Sequence, residues 1–193
     1  MKAILKFSFP LFAVVLLLQS CGDGDDEIRD ISRIDPKANF LQISFTVPDA
    51  GGQTENFFYD AAGDTVTADV LVLNQGEYSV TVFFSDRENP DNVIELNPRI
   101  TDNSEDFQVF YEFNAAADSV VTSFEYQDAD ADNRPLGINT QWTLSQPTAG
   151  GETVRIFLVE GLDKQAASLA GGVYNEGMGG EITLDAVLSL DVQ

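Results

Sequence analysis

The chain has 193 residues, 44% of them hydrophobic, so it is long enough and apolar enough to bury a substantial core in one domain. Its 32 acidic and 10 basic residues give a net charge of −22, which excludes nucleic acid as a partner because binding phosphate depends on neutralising it with lysine and arginine. The absence of histidine removes the commonest general base and the commonest ligand of zinc, copper and haem.

Residues 1–20 have the pattern of a bacterial lipoprotein signal peptide. Lys2 and Lys6 precede the apolar run 11–18, which is far shorter than the ~20 residues that a membrane-spanning helix needs. The run ends in Leu18-Gln19-Ser20-Cys21, which resembles a lipobox. The only cysteine, Cys21, is therefore predicted to carry the lipid and to become the mature N-terminus. An ordinary cleaved signal followed by an incidental free cysteine is the alternative.

Residues 21–37 are predicted to form a flexible tether. Four of the six positions 22–27 are acidic, and short acidic runs are usually solvated. The tract also resembles the export signal of surface lipoproteins in Bacteroidota. This resemblance implies a protein of the outer membrane that is lipid-anchored through Cys21 and faces the cell exterior. A tether with no targeting role is the alternative.

Residues 38–193 are predicted to form one all-β domain, an antiparallel Ig-like β-sandwich of about 8–9 strands. Apolar and polar residues alternate in short segments, and glycine, proline, asparagine and aspartate mark the turns between them. Trp142 is expected in the core, 93–96 is expected to be a short edge strand, and only Asp163–Leu169 is predicted to be helical. A small barrel is the alternative architecture. The predicted strands are 40–47, 56–60, 66–73, 78–85, 107–113, 120–126, 140–144, 154–159 and 182–192.

One loop carries a distinctive acidic pattern. Asp128, Asp130 and Asp132 occupy positions one, three and five of a candidate calcium loop, in which alternate carboxylates can converge on one cation. Asn133 stands where an EF-hand needs glycine, Asn139 stands where it needs a bidentate glutamate, and no helices are predicted on either side. A calcium loop of another kind and a solvated acidic turn are both hypotheses.

Two aromatic segments, 57–59 and 107–113, have two interpretations. Aromatic side chains at strand spacing usually pack in the core, whereas exposed rings can stack on a sugar ring. The sequence shows no glycine-rich phosphate loop and no nucleophile arrangement. The chain is therefore predicted not to be an enzyme.

Four motifs follow one another along the predicted domain. They are L-N-Q-G-E-Y at 73–78, E-D-F-Q-V-F-Y at 105–111, D-A-D-A-D-N-R-P-L-G-I at 128–138 and I-F-L-V-E-G-L-D-K at 156–164. Their order resembles that of a family of small surface lipoproteins of Bacteroidota. The resemblance implies a sandwich domain that acts beside a TonB-dependent receptor. Asp106 and Glu160 stand where the relatives carry histidine, so a transition-metal site in the relatives would here have harder ligands or be lost.

These observations favour a non-catalytic outer-membrane surface lipoprotein that binds a nutrient, cation or partner, as an accessory to a TonB-dependent uptake receptor. One alternative is a structural or adhesion sandwich in which calcium stiffens the acidic loop. Another is a carbohydrate-binding lipoprotein of a glycan-uptake system. The expected partners are the outer membrane, through the lipid, and the receptor.

Overall fold

The computed structural model describes residues 36–48, 51–165 and 173–193. The predicted signal peptide, Cys21 and the tether as far as residue 35 lie outside the described residues, as do residues 166–169 of the predicted helix. One compact unit runs from Pro36 to Gln193. Within the described ranges, no helix combines the length and the apolar character that crossing a membrane requires.

The described residues form strands β1 to β11, one short α-helix, α1, and two single-turn 3₁₀ helices, Ala117–Ser119 and Glu176–Met178. The α-helix α1 spans Asn97–Asp102, with Pro98 in its first turn, and was not expected from the sequence pattern. The strands are β1 Phe40–Thr46, β2 Thr54–Asp60, β3 Thr67–Ala68, β4 Leu71–Leu73, β5 Gly76–Asp86, β6 Ile94–Glu95, β7 Phe107–Phe113, β8 Val121–Tyr126, β9 Asn139–Leu144, β10 Thr153–Leu162 and β11 Gly179–Val192.

The strands make two sheets. The first sheet has seven strands in the order β3-β2-β1-β5-β9-β8, with β6 paired to one end of β5, and the second has four in the order β4-β11-β10-β7. All pairs are antiparallel except β4 with β11. The prediction of an all-β sandwich is confirmed.

The structure has two strands more than the nine predicted ones, because the predicted strand 66–73 divides between the two sheets and the short edge strand expected at 93–96 is present as β6. The first part of the segment 66–73 pairs with β2 and its second part with β11. At the division, the Asp69 carboxylate accepts the Phe58 backbone N–H at 2.8 Å, and the Asp69 backbone N–H donates to the Phe58 carbonyl at 2.9 Å. Asp69 thus completes the edge of β2 while the chain crosses to the second sheet.

The main core lies between the sheets, where the inward residues of the alternating strands meet. Ile43 and Val82 of the first sheet and Ile156 of the second are fully buried, as the period-two pattern requires. Trp142 is also fully buried, and its ring centroid lies 5.2 Å from that of Phe45 in an edge-on contact. Its indole N–H donates to Thr140 Oγ1 at 2.9 Å, so the buried polar atom is satisfied. The expectation for Trp142 is confirmed.

A second apolar cluster covers the outward face of the second sheet. Phe157 and Phe110 stack with ring centroids 5.3 Å apart, and Tyr174 packs edge-on against Phe157 at 5.6 Å. The other members of the cluster are Val159, Leu162, Met178 and Ile182. The second sheet is therefore buried on both sides over this part of its surface.

Candidate functional site

The acidic loop uses each of its three aspartate carboxylates for contacts within the protein. Asp128 Oδ1 accepts the Gly137 backbone N–H at 2.7 Å, and Oδ2 accepts the Asn139 backbone N–H at 2.8 Å. Asp132 is mostly exposed, and its carboxylate pairs with Arg134 Nη2 at 2.8 Å. The loop therefore closes on itself through hydrogen bonds that backbone N–H groups donate to its carboxylates.

Asp130 is the buried member of the three aspartates. One of its oxygens accepts the backbone N–H groups of Asp132 and Arg134, both at 2.9 Å. The other lies 3.0 Å from Arg134 Nε and 3.3 Å from Lys164 Nζ, and the Lys164 side chain is fully buried. Lys164 also donates to the Ser104 carbonyl at 2.8 Å. The loop, the 103–106 turn and the end of β10 are thus joined through one buried ion pair.

Burial and hydrogen bonding act in opposite directions on the acidity of this pair. Burial alone would raise the pKa of Asp130, but the Arg134 backbone N–H and the Lys164 charge hold it below its ordinary 3.8. Burial lowers the pKa of Lys164, and the Asp130 carboxylate opposes that change. Asp130 is therefore a stabilised carboxylate whose charge is already compensated.

The residues that follow the aspartates connect the two sheets. The Leu136 carbonyl accepts the Val109 N–H of β7 at 2.8 Å, and the Ile138 carbonyl accepts the Val82 N–H of β5 at 2.9 Å. Gly137 lies between them with φ +88°, and a Cβ there would lie 2.5 Å from the Val109 carbonyl oxygen. Only glycine fits this crossing without displacing β7. The P-L-G motif therefore acts as a strap across the open side of the sandwich.

The described residues provide no ligand set for the cation hypotheses. Nowhere in residues 36–48, 51–165 and 173–193 do three acidic, cysteine or histidine residues converge in a way that could hold a metal ion. Asp128, Asp130 and Asp132 instead bind N–H groups and two protein cations. The geometry favours the alternative of an acidic turn, with Asp130 buried rather than solvated.

Asp106 and Glu160 are brought close together, at the end of the β7–β10 pair. The Asp106 carbonyl accepts the Gly161 backbone N–H at 2.7 Å. The Glu160 carboxylate pairs at 2.7 Å with Nη2 of Arg99, which lies in α1. The two positions therefore lie next to each other, and the Glu160 side chain forms an ion pair with Arg99.

A cleft of about 320 Å³ opens on the outward face of the first sheet, away from the acidic loop and from Asp106 and Glu160. We call it the Arg87 cleft. Its walls combine aromatic, aliphatic, amide, hydroxyl and charged side chains. They come from β1, from the end of β5 and from the segment that leads through β6 into α1. The lining residues are Phe40, Gln42, Phe83, Phe84, Ser85, Arg87, Val93, Glu95 and Asn97.

Arg87 is distinguished by the absence of a carboxylate partner within the described part of the chain. Its Cζ lies 3.2 Å from the ring centroid of Phe40, a close cation–π contact, and its Nε is buried without a hydrogen-bond acceptor among those residues. The other three arginines that the structure describes, Arg99, Arg134 and Arg155, all form ion pairs. A guanidinium without a carboxylate is unusual in a chain with 32 acidic and only 10 basic residues.

The face around the cleft carries aromatic rings in outward positions. Gln42 of β1 lies between Phe58 of β2 and Phe83 of β5 in one row across the sheet. The side chains of Phe58 and Phe83 are 41% and 44% exposed, while Phe57 and Tyr59 pack against the core. In the next row, Ser44 donates to Asn56 Oδ1 at 2.6 Å and Gln42 Nε2 donates to the same oxygen at 3.2 Å.

The sequence did not predict this cleft, although two of the aromatic residues on this face could be noticed: Phe58 belongs to the segment 57–59, for which stacking on a sugar ring is one interpretation, and Phe83 has an unusual position in its strand. Phe83 falls in the outward phase of β5, among Ser79, Thr81 and Ser85, where a large aromatic side chain is out of place in a half-buried strand. Arg87 could not be identified from the sequence, because only the three-dimensional structure shows whether a charged side chain has a partner.

The sandwich was compared with models of protein families, with curated proteins and with solved structures. None of the three comparisons finds a match.

Proposed function

We propose that the chain is a non-catalytic lipoprotein, anchored through Cys21 to the outer face of the outer membrane, whose sandwich domain binds a ligand in the Arg87 cleft. In this proposal it presents the ligand to a TonB-dependent uptake receptor. The observation that carries the proposal is the cleft itself. It brings exposed aromatic rings together with a guanidinium that lacks a carboxylate partner in the described chain.

The composition of the cleft supports binding in preference to catalysis. Ligand sites are mostly apolar concavities with a few convergent polar groups, and the cleft has this composition. Among the described residues that line it, Glu95 is the only carboxylate. Glycoside hydrolysis by the usual route needs a pair of carboxyl groups on either side of the bond that is cut, and a second one is not among the lining residues.

The sequence supports the proposed location on the outer membrane. The lipobox-like Leu18-Gln19-Ser20-Cys21 and the acidic positions that follow it predict lipidation and export to the surface. A tether of ~15 residues, if flexible, spans roughly 20–25 Å, so the domain would work close to the membrane. This distance suits delivery to an integral receptor in the same membrane.

The test uses whole cells that express the full chain or its Cys21→Ala variant. Metabolic labelling with an alkyne fatty acid should mark the parent chain and not the variant, and protease added to intact cells should digest the parent chain. Mild crosslinking should then recover a TonB-dependent receptor with it. Protection from the added protease, or lipidation without any receptor in the crosslinked fraction, would contradict the proposal.

A further inference from the structure

The first sheet offers two flat apolar platforms on its outward face. Phe58 and Phe83 lie on either side of Gln42, two strands apart, so their rings are separated by roughly 10 Å, twice the usual strand spacing. Both side chains are exposed by about two-fifths, and Val93 extends the apolar wall beyond Phe83. A ligand that stretches across both rings must itself have flat, weakly polar faces.

The polar groups of the cleft include both donors and acceptors. The guanidinium of Arg87 can only donate hydrogen bonds, the carboxylate of Glu95 can only accept them, and the amide of Gln42 can do both. The Gln42 N–H group is already used within the Ser44–Asn56 network, which leaves its carbonyl oxygen as an acceptor. A matching ligand must carry groups that both donate and accept, as hydroxyl groups do.

The charged side chains of the cleft further restrict the class of ligand that it can bind. A cationic ligand would meet the guanidinium of Arg87, which already covers the face of Phe40. An anionic ligand would meet Glu95 in the same cleft and a chain whose net charge is −22. A neutral ligand meets neither repulsion.

We propose that the Arg87 cleft binds a neutral oligosaccharide. A sugar ring has an apolar C–H face that stacks on Phe83 or Phe58, and a rim of hydroxyl groups that pair with Arg87, Glu95 and Gln42. A volume of about 320 Å³ holds the end of such a chain, and the row from Gln42 to Phe58 receives the following ring. This inference rests on the proposed function and assigns the class of its ligand.

A glycan array tests the inference, probed with the full lipidated chain in detergent and with neutral and acidic glycans side by side. We expect binding to neutral glycans only. Calorimetry with the best glycan then compares the parent chain with Phe83→Ala and Phe58→Ala. Each variant should bind about tenfold more weakly, as expected when an aromatic anchor is removed.

The matched control is Val187→Ala. Val187 is 55% exposed on β11, in the second sheet, so its truncation removes exposed apolar surface away from the cleft and should leave glycan affinity unchanged. Because the three side chains are exposed, the variants should keep the fold, which near-ultraviolet circular dichroism of the buried Trp142 can verify.

Two results would overturn the inference. One is a folded parent chain that binds no glycan or acidic glycans alone, and the other is glycan binding that both phenylalanine variants retain in full. The first result leaves the proposed function standing if the chain is still lipidated, surface-exposed and crosslinked to a receptor, whereas the second would mean that the glycan binds outside the Arg87 cleft. Loss of those three properties would instead contradict the proposed function and not the ligand class.

Discussion

The two outward faces of the sandwich carry the same pair of side chains in different surroundings. On the second sheet, Arg155 Cζ lies 4.3 Å from the ring centroid of Phe157, and on the first sheet, Arg87 Cζ lies 3.2 Å from that of Phe40. Arg155 binds Asp185 at 2.7 and 2.8 Å and Glu112 at 2.9 Å. Arg87 has no carboxylate partner in the described chain.

The difference separates a structural pair from a pair that is available to a ligand. Hydrogen bonds from Arg155 to Asp185 raise the pKa of the guanidinium above its ordinary range, and Phe157 beneath it is fully buried against Phe110 and Tyr174. In the described chain, no carboxylate binds Arg87 as Asp185 and Glu112 bind Arg155. Polar groups that a fold leaves incomplete are good candidates for function.

The largest expected effect is on stability, from removing the ring of Phe157. Because Phe157 is fully buried in the cluster over the second sheet, Phe157→Ala should lower the free energy of unfolding by about 3–5 kcal/mol. The exposed Phe83 is the matched ring on the other face, and Phe83→Ala should cost less than about 1 kcal/mol. Urea unfolding followed by Trp142 fluorescence measures both, and equal losses would mean that the two faces are buried alike.

The next effect concerns a cation that is paired and fully buried. Asp130→Asn should lower the free energy of unfolding by about 3 kcal/mol, because it leaves Lys164 buried without its counter-charge. Asp132→Asn is the control, since that carboxylate is mostly exposed and should contribute less than about 0.5 kcal/mol. If the two variants unfold at the same urea concentration, the ion pair between Asp130 and Lys164 does not stabilise the domain.

The same pair predicts how stability depends on pH. The pKa of Asp130 is lowered by folding, so its contribution is complete above the ordinary value of 3.8 and is lost as pH falls through the lower folded value. The parent chain should therefore lose stability more steeply on acidification than Asp130→Asn. Melting temperatures measured across the acidic range would refute this if the two curves ran parallel.

A smaller effect distinguishes the two arginines. Arg155→Ala removes hydrogen bonds to two carboxylates and should cost about 1–2 kcal/mol, less at high salt. Arg87→Ala removes only the contact with Phe40 and should cost about 0.5–1 kcal/mol, with little dependence on salt. The measurement is urea unfolding at low and high salt. A strong salt dependence for Arg87→Ala would indicate that Arg87 has a charged partner.

The smallest expected effect is that of calcium. Because the three aspartates of the acidic loop are bound to N–H groups and to Arg134 and Lys164, calcium should leave the melting temperature unchanged. A rise of several degrees at millimolar calcium would show that the loop rearranges around the ion, and would restore the hypothesis of a calcium-stiffened loop.

Much of the fold follows from local pattern, and the exceptions have identifiable causes. The alternation of β1 and β5 predicts which residues face the core, and the structure confirms it. The segment 66–73 looks like one strand because its pattern does not record Asp69 turning the chain toward another sheet. Likewise, α1 was missed because six residues that begin with Asn-Pro carry too little periodicity to indicate a helix.

The candidate site was less accessible to prediction than the fold. The spacing of Asp128, Asp130 and Asp132 fits a cation loop, but spacing cannot show that Lys164, more than thirty residues later, supplies the charge instead. An outward Phe83 could have been noticed from its phase in β5. Its significance depends on Arg87 and Val93, which the return of the chain through β6 places beside it.

The position of β11 determines when the domain can be completed during synthesis. This strand is the last in chain order, yet it lies inside the second sheet, between β4 and β10. Until it has emerged, β4 has no partner in that sheet, so the inner face of the first sheet lacks part of its cover. For a chain with a predicted export signal this order is useful, because the sandwich cannot close before β11 has been made, and the earlier strands can pass through a translocation channel more easily while the sandwich is open.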